Sequence, residues 1–308
     1  MNRKGITFLG YAIYVAASFT PIIARGDTIF VSNANSPIGE YTTSGATVNA
    51  SLITGLYYPN GIALSGSNLF EANAGSGTIG EYTTAGVTEN ASLVSGLDEP
   101  IGIAVSGSNI FVTNFSAGTI GEYTTSGVVE NATLVSGLSE PQGITVSGSD
   151  LFVANEGNDT VGEYTTSGGT VNASLVSGLG DPYGVAVSGS DLFVTNVNFL
   201  TIGEYTTSGA TLNASLISGL INPTGIALSG SNIFVANGGN GTIGEYTTSG
   251  GTVNPTLISG LSGPWDVVVE STAAPSPPSL WAGLSLLGIL GVFRLLNATW
   301  KRRTGQLD

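Results

Sequence analysis

The pentapeptide Gly-Glu-Tyr-Thr-Thr occurs six times, and each copy begins 41 residues after the one before it. A repeat of fixed length between about 20 and 50 residues is typical of solenoids, propellers and other arrays. The repeat therefore decides the fold and aligns the chain into six equivalent units. Its copies are Gly39–Thr43, Gly80–Thr84, Gly121–Thr125, Gly162–Thr166, Gly203–Thr207 and Gly244–Thr248.

The second unit shows four short apolar or β-branched runs: Pro59–Leu64, Leu69–Asn73, Thr78–Thr84 and Asn90–Leu97. Turns rich in Gly, Ser and Asn separate them, which indicates strands joined by hairpins. We label the predicted strands a, b, c and d in chain order. Four antiparallel strands in a repeat of about 40 residues make one blade of a β-propeller.

The strands at the two ends of the repeat region predict a closed ring. The region begins with a strand b at Thr28–Val31 and ends with a strand a at Trp265–Val269, so each strand type occurs six times. Pairing of Trp265–Glu270 with the first blade would satisfy the backbone groups of both edges. We therefore predict an all-β, six-bladed β-propeller over residues 27–271. A β-solenoid is the alternative, although its coils are usually shorter than this repeat.

The repeat also resembles the NHL and YVTN families of β-propeller between Asp27 and Glu270. The resemblance implies a propeller and little about function, because these families share a scaffold rather than an activity. It is carried by Pro-x-Gly-Ile-Ala-Val at Pro100–Val105, Pro141–Val146 and Pro182–Val187, and by Phe-Val-Thr-Asn at Phe111–Asn114, with Gly118–Ile120 after it, and at Phe193–Asn196.

Composition and charge exclude several classes of function. The chain contains no Cys and no His, so it has no disulfide, thiolate metal site, cysteine nucleophile or Ser-His-Asp triad. All seven Lys and Arg residues lie in the terminal segments. The region from Asp27 to Glu270 holds 20 of the 21 acidic residues, all but Asp308. Such a region repels a phosphate backbone, so we expect no nucleic-acid partner.

Residues 1–26 have the parts of a secretory signal peptide. Arg3 and Lys4 supply positive charge, and Gly5–Phe19 is mostly apolar and short for a membrane span. Ala24-Arg25-Gly26 then places small residues before a cut at Asp27. We predict export, and an uncleaved N-terminal anchor is the alternative.

The C-terminal segments predict attachment to a membrane. Residues 272–279 form a Pro-rich linker, and residues 280–303 combine the apolar run Leu280–Phe293 with the basic tail Lys301-Arg302-Arg303. Fourteen helical residues cover about 21 Å, less than the hydrocarbon core of about 30 Å, and the apolar run continues beyond Arg294. We predict a transmembrane helix here, followed by a cytoplasmic C-terminus.

The same end resembles the PEP-CTERM sorting signal of Gram-negative envelope proteins from Pro275 to Arg303. The match consists of a proline motif, Ser279-Leu280-Trp281-Ala282, a Gly/Leu-rich span and a basic tail. The family's Glu between the prolines is absent, and Ser276 or Pro277 stands there. The resemblance implies export and sorting-protease machinery, with a plain anchor as the alternative. Both imply a periplasmic or cell-surface propeller, held at least transiently by the C-terminal helix.

Residues that recur with the repeat are predicted to be structural. The Gly that opens strand a, such as Gly61, suits a crowded axis. We expect the six pentapeptide tyrosines, Tyr41 to Tyr246, to fill the space between blades. The strand-d leucines should pack in the core: Leu52, Leu93, Leu134, Leu175, Leu216 and Leu257.

The pentapeptide glutamates have no Lys or Arg in the repeat region to pair with, and a buried unpaired carboxylate is costly. We expect them to be exposed, hydrogen-bonded by Ser, Thr and backbone N–H groups, or neutralised by cations. They are Glu40, Glu81, Glu122, Glu163, Glu204 and Glu245.

Five Asn-x-Ser/Thr sequences lie in strand d, and Pro255 blocks the sixth. We interpret them as turn chemistry rather than glycan sites. They begin at Asn49, Asn90, Asn131, Asn172 and Asn213.

Sequence variation is concentrated in the b–c and d–a loops, which an up-and-down blade places on one face. We predict a ligand-binding face around the channel mouth, and drift in loops that do not set blade packing is the alternative. Its aromatic and amide side chains suit sugars: Tyr57, Tyr58, Asn60, Phe115, Gln142, Tyr183, Phe199 and Trp265. Its carboxylates suit Ca²⁺: Asp98, Glu99, Glu140, Glu156, Asp159 and Asp181.

These features favour an exported binding or interaction module of the bacterial cell envelope, with a carbohydrate or protein as partner and Ca²⁺ as a candidate cofactor. One alternative is a metal-dependent gluconolactonase-like or a lyase-like propeller enzyme. Because His is absent and no acidic loop residue matches a motif of those enzymes, we expect no enzyme. Another alternative is a structural surface-coat or matrix protein.

Overall fold

The computed structural model describes residues 27–34 and 36–271. The predicted signal peptide at 1–26, the linker at 272–279 and the transmembrane segment at 280–303 lie outside the described residues. Within the described part, 24 strands and one 3-10 turn, Glu156–Asn158, make up the regular structure. No helix in this part is long and apolar enough to cross a membrane.

The strands form six four-stranded antiparallel sheets, which are the blades. Blade 1 contains β1 (Thr28–Asn33), β2 (Ser36–Thr42), β3 (Thr47–Ile53) and the last strand, β24 (Pro264–Glu270). Blade 2 contains β4 (Pro59–Ser65), β5 (Asn68–Asn73), β6 (Thr78–Thr83) and β7 (Thr88–Ser95). Blade 3 contains β8 (Pro100–Ser106), β9 (Asn109–Asn114), β10 (Thr119–Thr124) and β11 (Val129–Ser136).

The remaining three blades repeat the same order of four consecutive strands. Blade 4 contains β12 (Pro141–Ser147), β13 (Asp150–Asn155), β14 (Thr160–Thr165) and β15 (Thr170–Ser177). Blade 5 contains β16 (Pro182–Ser188), β17 (Asp191–Asn196), β18 (Thr201–Thr206) and β19 (Thr211–Ser218). Blade 6 contains β20 (Pro223–Ser229), β21 (Asn232–Asn237), β22 (Thr242–Thr247) and β23 (Thr252–Ser259).

The ring is closed by the first and last strands. β1 pairs antiparallel with β24, from Thr28 opposite Glu270 to Asn33 opposite Pro264. The order β24–β1–β2–β3 in blade 1 is therefore equivalent to a–b–c–d in every other blade. The predicted six-bladed propeller and its closing strand are confirmed, and the β-solenoid alternative is wrong.

Neighbouring blades pack against each other through apolar clusters. In the cluster between blades 2 and 3, Phe70 and Ile79 pack with Ile103, Ile110 and Tyr123. The six pentapeptide tyrosines are only 2–5% exposed, so their predicted position between blades is confirmed. The strand-d leucines are partly buried against the same clusters, as predicted.

Close approach explains two of the recurring glycines. In the pentapeptide, the Tyr ring lies across the Gly two residues before it, and a Cβ added at Gly80 would lie 2.6 Å from Cε2 of Tyr82. At the axis, a Cβ at Gly61 would collide with the backbone carbonyl of Ile101 in the next blade. The pentapeptide is therefore a packing motif, and the inner strands converge as expected.

Candidate functional site

The variable loops lie together because each d–a loop is hydrogen-bonded to the b–c loop of the blade it enters. In blade 2, the N–H of Ala74 donates to the carbonyl oxygen of Tyr58 at 3.1 Å. In blade 3, the N–H of Phe115 donates to the carbonyl oxygen of Glu99 at 3.0 Å. The two sets of loops therefore form one continuous face at one end of the channel.

A left-handed backbone residue holds each d–a loop in place. The residue before the proline of strand a has φ between 47° and 55° in blades 2 to 6, although it is not glycine, and Gly263 takes this position in blade 1. An L-residue in this conformation costs roughly 1–2 kcal/mol. Its carbonyl oxygen accepts the hydrogen bond from the b–c loop. The residues are Tyr58, Glu99, Glu140, Asp181 and Asn222.

A ring of six side chains closes the central channel beneath this face. One blade supplies each member, from the second position of its strand a. The channel is a cavity of about 400 Å³, and a second cavity of about 690 Å³ lies on the loop side. Asn60, Ile101 and Tyr183 line both cavities, so the ring lies between them. We call these six residues the floor: Trp265, Asn60, Ile101, Gln142, Tyr183 and Thr224.

Tyr183 is the central member of the floor. Its hydroxyl donates a hydrogen bond to Oδ1 of Asn60 at 2.8 Å. Its ring stacks on Trp265, with 5.6 Å between centroids and 21° between planes. Burial raises the pKa of Tyr183, the bond to Asn60 lowers it, and Asp266 and Glu156 raise it further. The phenol is therefore neutral, and it links three blades across the channel.

The cavity above the floor is an off-centre cup over blades 2 and 3. At about 690 Å³, it falls within the range of about 300–1,000 Å³ for small-ligand sites. Five floor residues line it, and its walls come from the loops of the two blades. The wall residues with functional side chains are Tyr58, Ser76, Asp98, Glu99, Phe115 and Ser116.

The structure brings together six of the eight aromatic and amide residues that the sequence singled out. Tyr58, Asn60, Phe115, Gln142, Tyr183 and Trp265 line the cup. The other two, Tyr57 and Phe199, do not line it. The Tyr57 ring lies against Gly75 and edge-on to Tyr58, 5.0 Å between centroids, and the Phe199 ring lies against Gly180.

The six candidate metal-ligating carboxylates fall into two groups. Asp98 and Glu99 line the cup. The other four gather around Glu156: burial raises the pKa of Glu156, a hydrogen bond from Gln142 Nε2 lowers it, and Asp181, Glu140 and Asp159 raise it. In residues 27–34 and 36–271, no three Asp or Glu side chains are arranged so that they could hold a metal ion.

Asp266 is a channel residue that the sequence analysis missed. It stands where blades 2 to 6 have the strand-a glycine, such as Gly61. Its carboxylate accepts the N–H of Ile62 at 3.0 Å and that of Val267 at 2.9 Å. Burial raises its pKa to about 7, and both hydrogen bonds act in the opposite direction. The departure from the repeated glycine is the signal that could have identified it.

The pentapeptide glutamates are buried in blades 1 and 6 and half-buried in blades 2 to 5, and three of them accept hydrogen bonds from Asn. Oε1 of Glu81, Glu122 and Glu245 accepts an Nδ2 hydrogen bond from the Asn that opens strand b, at 2.7–2.8 Å. The prediction named Ser, Thr and backbone donors, so it was wrong about their identity. In blades 4 and 5 that Asn is replaced by Asp150 and Asp191, and the pKa of the facing Glu is raised by burial and by this Asp.

Glu71 is a second residue that the sequence analysis missed. It occupies the strand-b position that Val fills in every other blade, such as Val112. Its side chain is fully buried, and neither carboxylate oxygen has a hydrogen-bond partner among the described residues. Burial raises its pKa to about 8. Burial and the charge of Glu71 together raise the pKa of nearby Tyr82 to about 12.

The Asn-x-Ser/Thr sequences share one local geometry. Oδ1 of Asn49 accepts the N–H of Ser51 at 3.0 Å. In blade 6, where Pro255 blocks the sequon, Oδ1 of Asn254 accepts the N–H of Thr256 at 3.2 Å. Since the bond forms with and without the sequon, this geometry accounts for the recurrence of the asparagine.

The closed ring of six four-stranded sheets defines the chain as a six-bladed β-propeller, the fold implied by its resemblance to the NHL and YVTN repeats. No protein-family model matches the chain, and no curated protein sequence matches it. Solved structures do match it.

Three such structures cover most of the propeller. A chain of a nidogen/laminin complex aligns with a TM-score of 0.68 and 15% identity, over 79% of this chain and 98% of that chain. A streptogramin B lyase aligns at 0.61 and 21%, over 79% and 83%. A gluconolactonase from Xanthomonas campestris aligns at 0.58 and 14%, over 67% and 79%. At these identities the similarity shows the fold alone, and that fold serves both binding proteins and enzymes.

Proposed function

We propose that the protein is a binding module whose ligand enters the cup. The observation that carries this proposal is the placement of non-repeating residues on a closed floor. Tyr58, Phe115, Gln142 and Trp265 differ from their counterparts in the other blades, yet they line a single cavity. Tyr183 and Asn60 close its base through a buried hydrogen bond, so a ligand meets a pre-formed surface rather than an open channel.

Binding is favoured over catalysis by the chemistry that the chain lacks. It contains no His and no Cys, which removes the commonest proton relay and the strongest neutral-pH nucleophile. The nidogen/laminin neighbour is part of a protein–protein complex, which supports a protein partner as one candidate. A carbohydrate is the other, because aromatic rings with amide groups suit sugars.

We further propose that the propeller is exported and works at the periplasmic or cell-surface side of the envelope, held by its C-terminal segment. Residues 1–26 and 280–303 support this location through their charge and apolar patterns. Intact mass of the purified protein tests it, since export with cleavage gives a chain that begins at Asp27. A chain retaining Met1 in the cytosolic fraction would contradict it.

Thermal unfolding tests the binding function, because a ligand that binds only the folded state raises Tm. The full-length protein in a polyoxyethylene detergent is screened with a glycan panel, envelope-derived peptides and Ca²⁺. Tyr58→Ala and Phe115→Ala should abolish the shift from any cup ligand. Phe199→Ala is the matched control, because its ring lies against Gly180 outside the cup, and it should retain the shift. Equal shifts in all three variants would refute the cup as the site.

The same protein samples can be used to test the calcium site, the enzyme alternative and the structural-coat alternative. A Ca²⁺ shift that Glu156→Gln removes would support a calcium site in the loops of blades 4 and 5. Lactone hydrolysis by the wild-type protein would support the enzyme alternative. Assembly at the surface with no ligand shift would support the structural-coat alternative.

A further inference from the structure

Among the residues that the structure describes, the cup is lined by negatively charged side chains and by no positively charged one. Asp98 and Glu99 are exposed on its wall. The region from Asp27 to Glu270 contains no Lys or Arg at all. A concave site lined by one sign of charge focuses the field and raises the local concentration of oppositely charged ligands. The cup is therefore set up to attract cations and to repel anions.

Aromatic rings stand beside these carboxylates. The N–H of Phe115 donates to the carbonyl oxygen of Glu99 at 3.0 Å, so the two residues are direct neighbours on the wall. Oε2 of Glu99 accepts a hydrogen bond from Oγ of Ser116 at 2.7 Å, which orients the carboxylate. Tyr58 lies on the opposite, blade 2 side of the cup and is 48% exposed. Aromatic faces and carboxylates together favour an organic cation.

The floor adds an acceptor that lacks a donor. Gln142 is 6% exposed and lines the cup. Its Nε2 group donates to Glu156, but its Oε1 atom has no partner among the described residues. A buried acceptor left unpaired costs roughly 1–3 kcal/mol. The Oε1 atom is itself buried, so an N–H donor of a ligand on the floor would pair with it only after a shift of the Gln142 side chain.

We propose that the cup binds an organic cation, an ammonium or guanidinium group on an alkyl stem, held by Asp98 and Glu99 with its stem against Tyr58 and Phe115. The inference rests on the proposed function, since it names the ligand class of the same cup. Two sources carry this chemistry: the Lys or Arg side chain of a peptide, and a free polyamine.

Other ligand classes use fewer of the groups present. A divalent metal ion needs several converging oxygen ligands, and the described residues hold no such group of three carboxylates. Aromatic rings supply a metal with no ligand atom. A neutral sugar would use the rings but would leave the two carboxylate charges of the cup unmatched.

Titration calorimetry on the full-length protein in polyoxyethylene detergent tests the proposal. The probes are spermidine, the peptide acetyl-Gly-Lys-Gly-Lys-Gly-amide, and the same peptide with acetylated lysines. Both cationic probes, or one of them, should bind, which identifies the source. The acetylated peptide should bind at least about tenfold more weakly, because it keeps the stem and loses the charge. Raising NaCl from 20 to 500 mM should weaken binding similarly, through screening.

A matched pair of double variants separates a local effect from overall charge. Asp98→Asn with Glu99→Gln should weaken cation binding at least about tenfold. Glu89→Gln with Glu130→Gln removes the same charge from exposed positions on the outer strands β7 and β11, and should change binding less than about twofold.

Equal losses in both double variants would overturn the proposal, as would binding of the acetylated peptide at full strength. A neutral glycan that binds the cup while both cationic probes fail would overturn the ligand class and leave the cup's binding function intact. Cation binding that survives Tyr58→Ala and Phe115→Ala but not the loss of Glu140 or Glu156 would place the site elsewhere and overturn both proposals.

Discussion

The hydroxyl of Tyr183 in blade 5 donates a 2.8 Å hydrogen bond to Oδ1 of Asn60 in blade 2. The two residues are 123 positions apart in the chain, and their blades face each other across the axis of the ring. The bond closes the channel beneath the cup, and stacking of Tyr183 on Trp265 ties the same ring to blade 1.

Tyr183→Phe should lower the free energy of unfolding by about 1–3 kcal/mol, because it leaves a buried acceptor on Asn60 without its donor. Denaturant unfolding measures the change. Tyr57→Phe is the control, since Tyr57 is 62% exposed, and it should change stability by less than about 0.5 kcal/mol. Equal stability of the two variants would show that the hydrogen bond contributes nothing.

Glu71→Val should stabilise the protein, and the gain should grow with pH. The folded-state pKa of Glu71 is about 8 against an ordinary value of 4.5, so the folded state holds the proton more tightly than the unfolded state. The contribution of Glu71 to stability therefore falls as pH rises from its ordinary pKa to its folded-state pKa, and it is constant above that range. We expect a gain of roughly 3–5 kcal/mol at pH 9 and much less at pH 4.5.

Unfolding of both proteins between pH 4.5 and 9 measures this difference. Val112→Glu builds the same arrangement in blade 3 and should destabilise the protein with the same pH dependence. A pH profile of Glu71→Val parallel to that of the wild type would show that the carboxyl of Glu71 does not titrate within this window.

Asp150→Asn should stabilise blade 4 by about 0.2–1 kcal/mol at pH 7, because an Asn donor replaces a like charge opposite Glu163. The gain should shrink near pH 4, where Glu163 becomes protonated, because burial and Asp150 raise the pKa of Glu163. Asn109→Asp creates the reverse change opposite Glu122 and should cost a similar amount. Thermal unfolding at the two pH values measures both, and a gain unaffected by pH would rule out charge repulsion.

Leu200→Gly should raise the free energy of unfolding by about 0.5–1 kcal/mol. Leu200 has φ of 57° and is 43% exposed. Glycine relieves the left-handed conformation, and Leu200 packs in none of the apolar clusters described between blades. Gly118 occupies the equivalent position in blade 3 with φ of 62°. Gly118→Leu should therefore destabilise the protein. Denaturant midpoints measure both, and a less stable Leu200→Gly would mean that side-chain contacts outweigh the strain.

Much of the fold could be predicted because it follows from the spacing of the repeat and from the number of strands of each type. The pentapeptide gave the number of blades, and the surplus strand at Trp265–Val269 gave the closure that the pairing of β1 with β24 shows. Burial of the tyrosines followed from their recurrence. The donors to Glu81 and its counterparts were missed, because Asn68 lies beside Glu81 only once β5 has paired with β6.

Two residues that depart from the repeat were not predicted to be special, although the sequence contains the signal for both. Glu71 in a Val position and Asp266 in a Gly position are visible in the aligned units. Each is a carboxyl group that the fold buries or encloses. Alignment of the units identifies such residues, whereas their burial and the unpaired oxygens of Glu71 depend on the contacts that the neighbouring blade provides.

The sequence by itself determined the blade count, the closed ring and the face on which the variable loops meet, because these follow from period, strand order and alternation. Only the tertiary structure decided which loop residues share a cavity. Tyr58 lines the cup while Tyr57 lies against Gly75, and Tyr183 reaches Asn60 across three blades. The physical reason is that such contacts depend on left-handed loop residues and side-chain packing around a closed axis, which bring together positions that the chain keeps far apart.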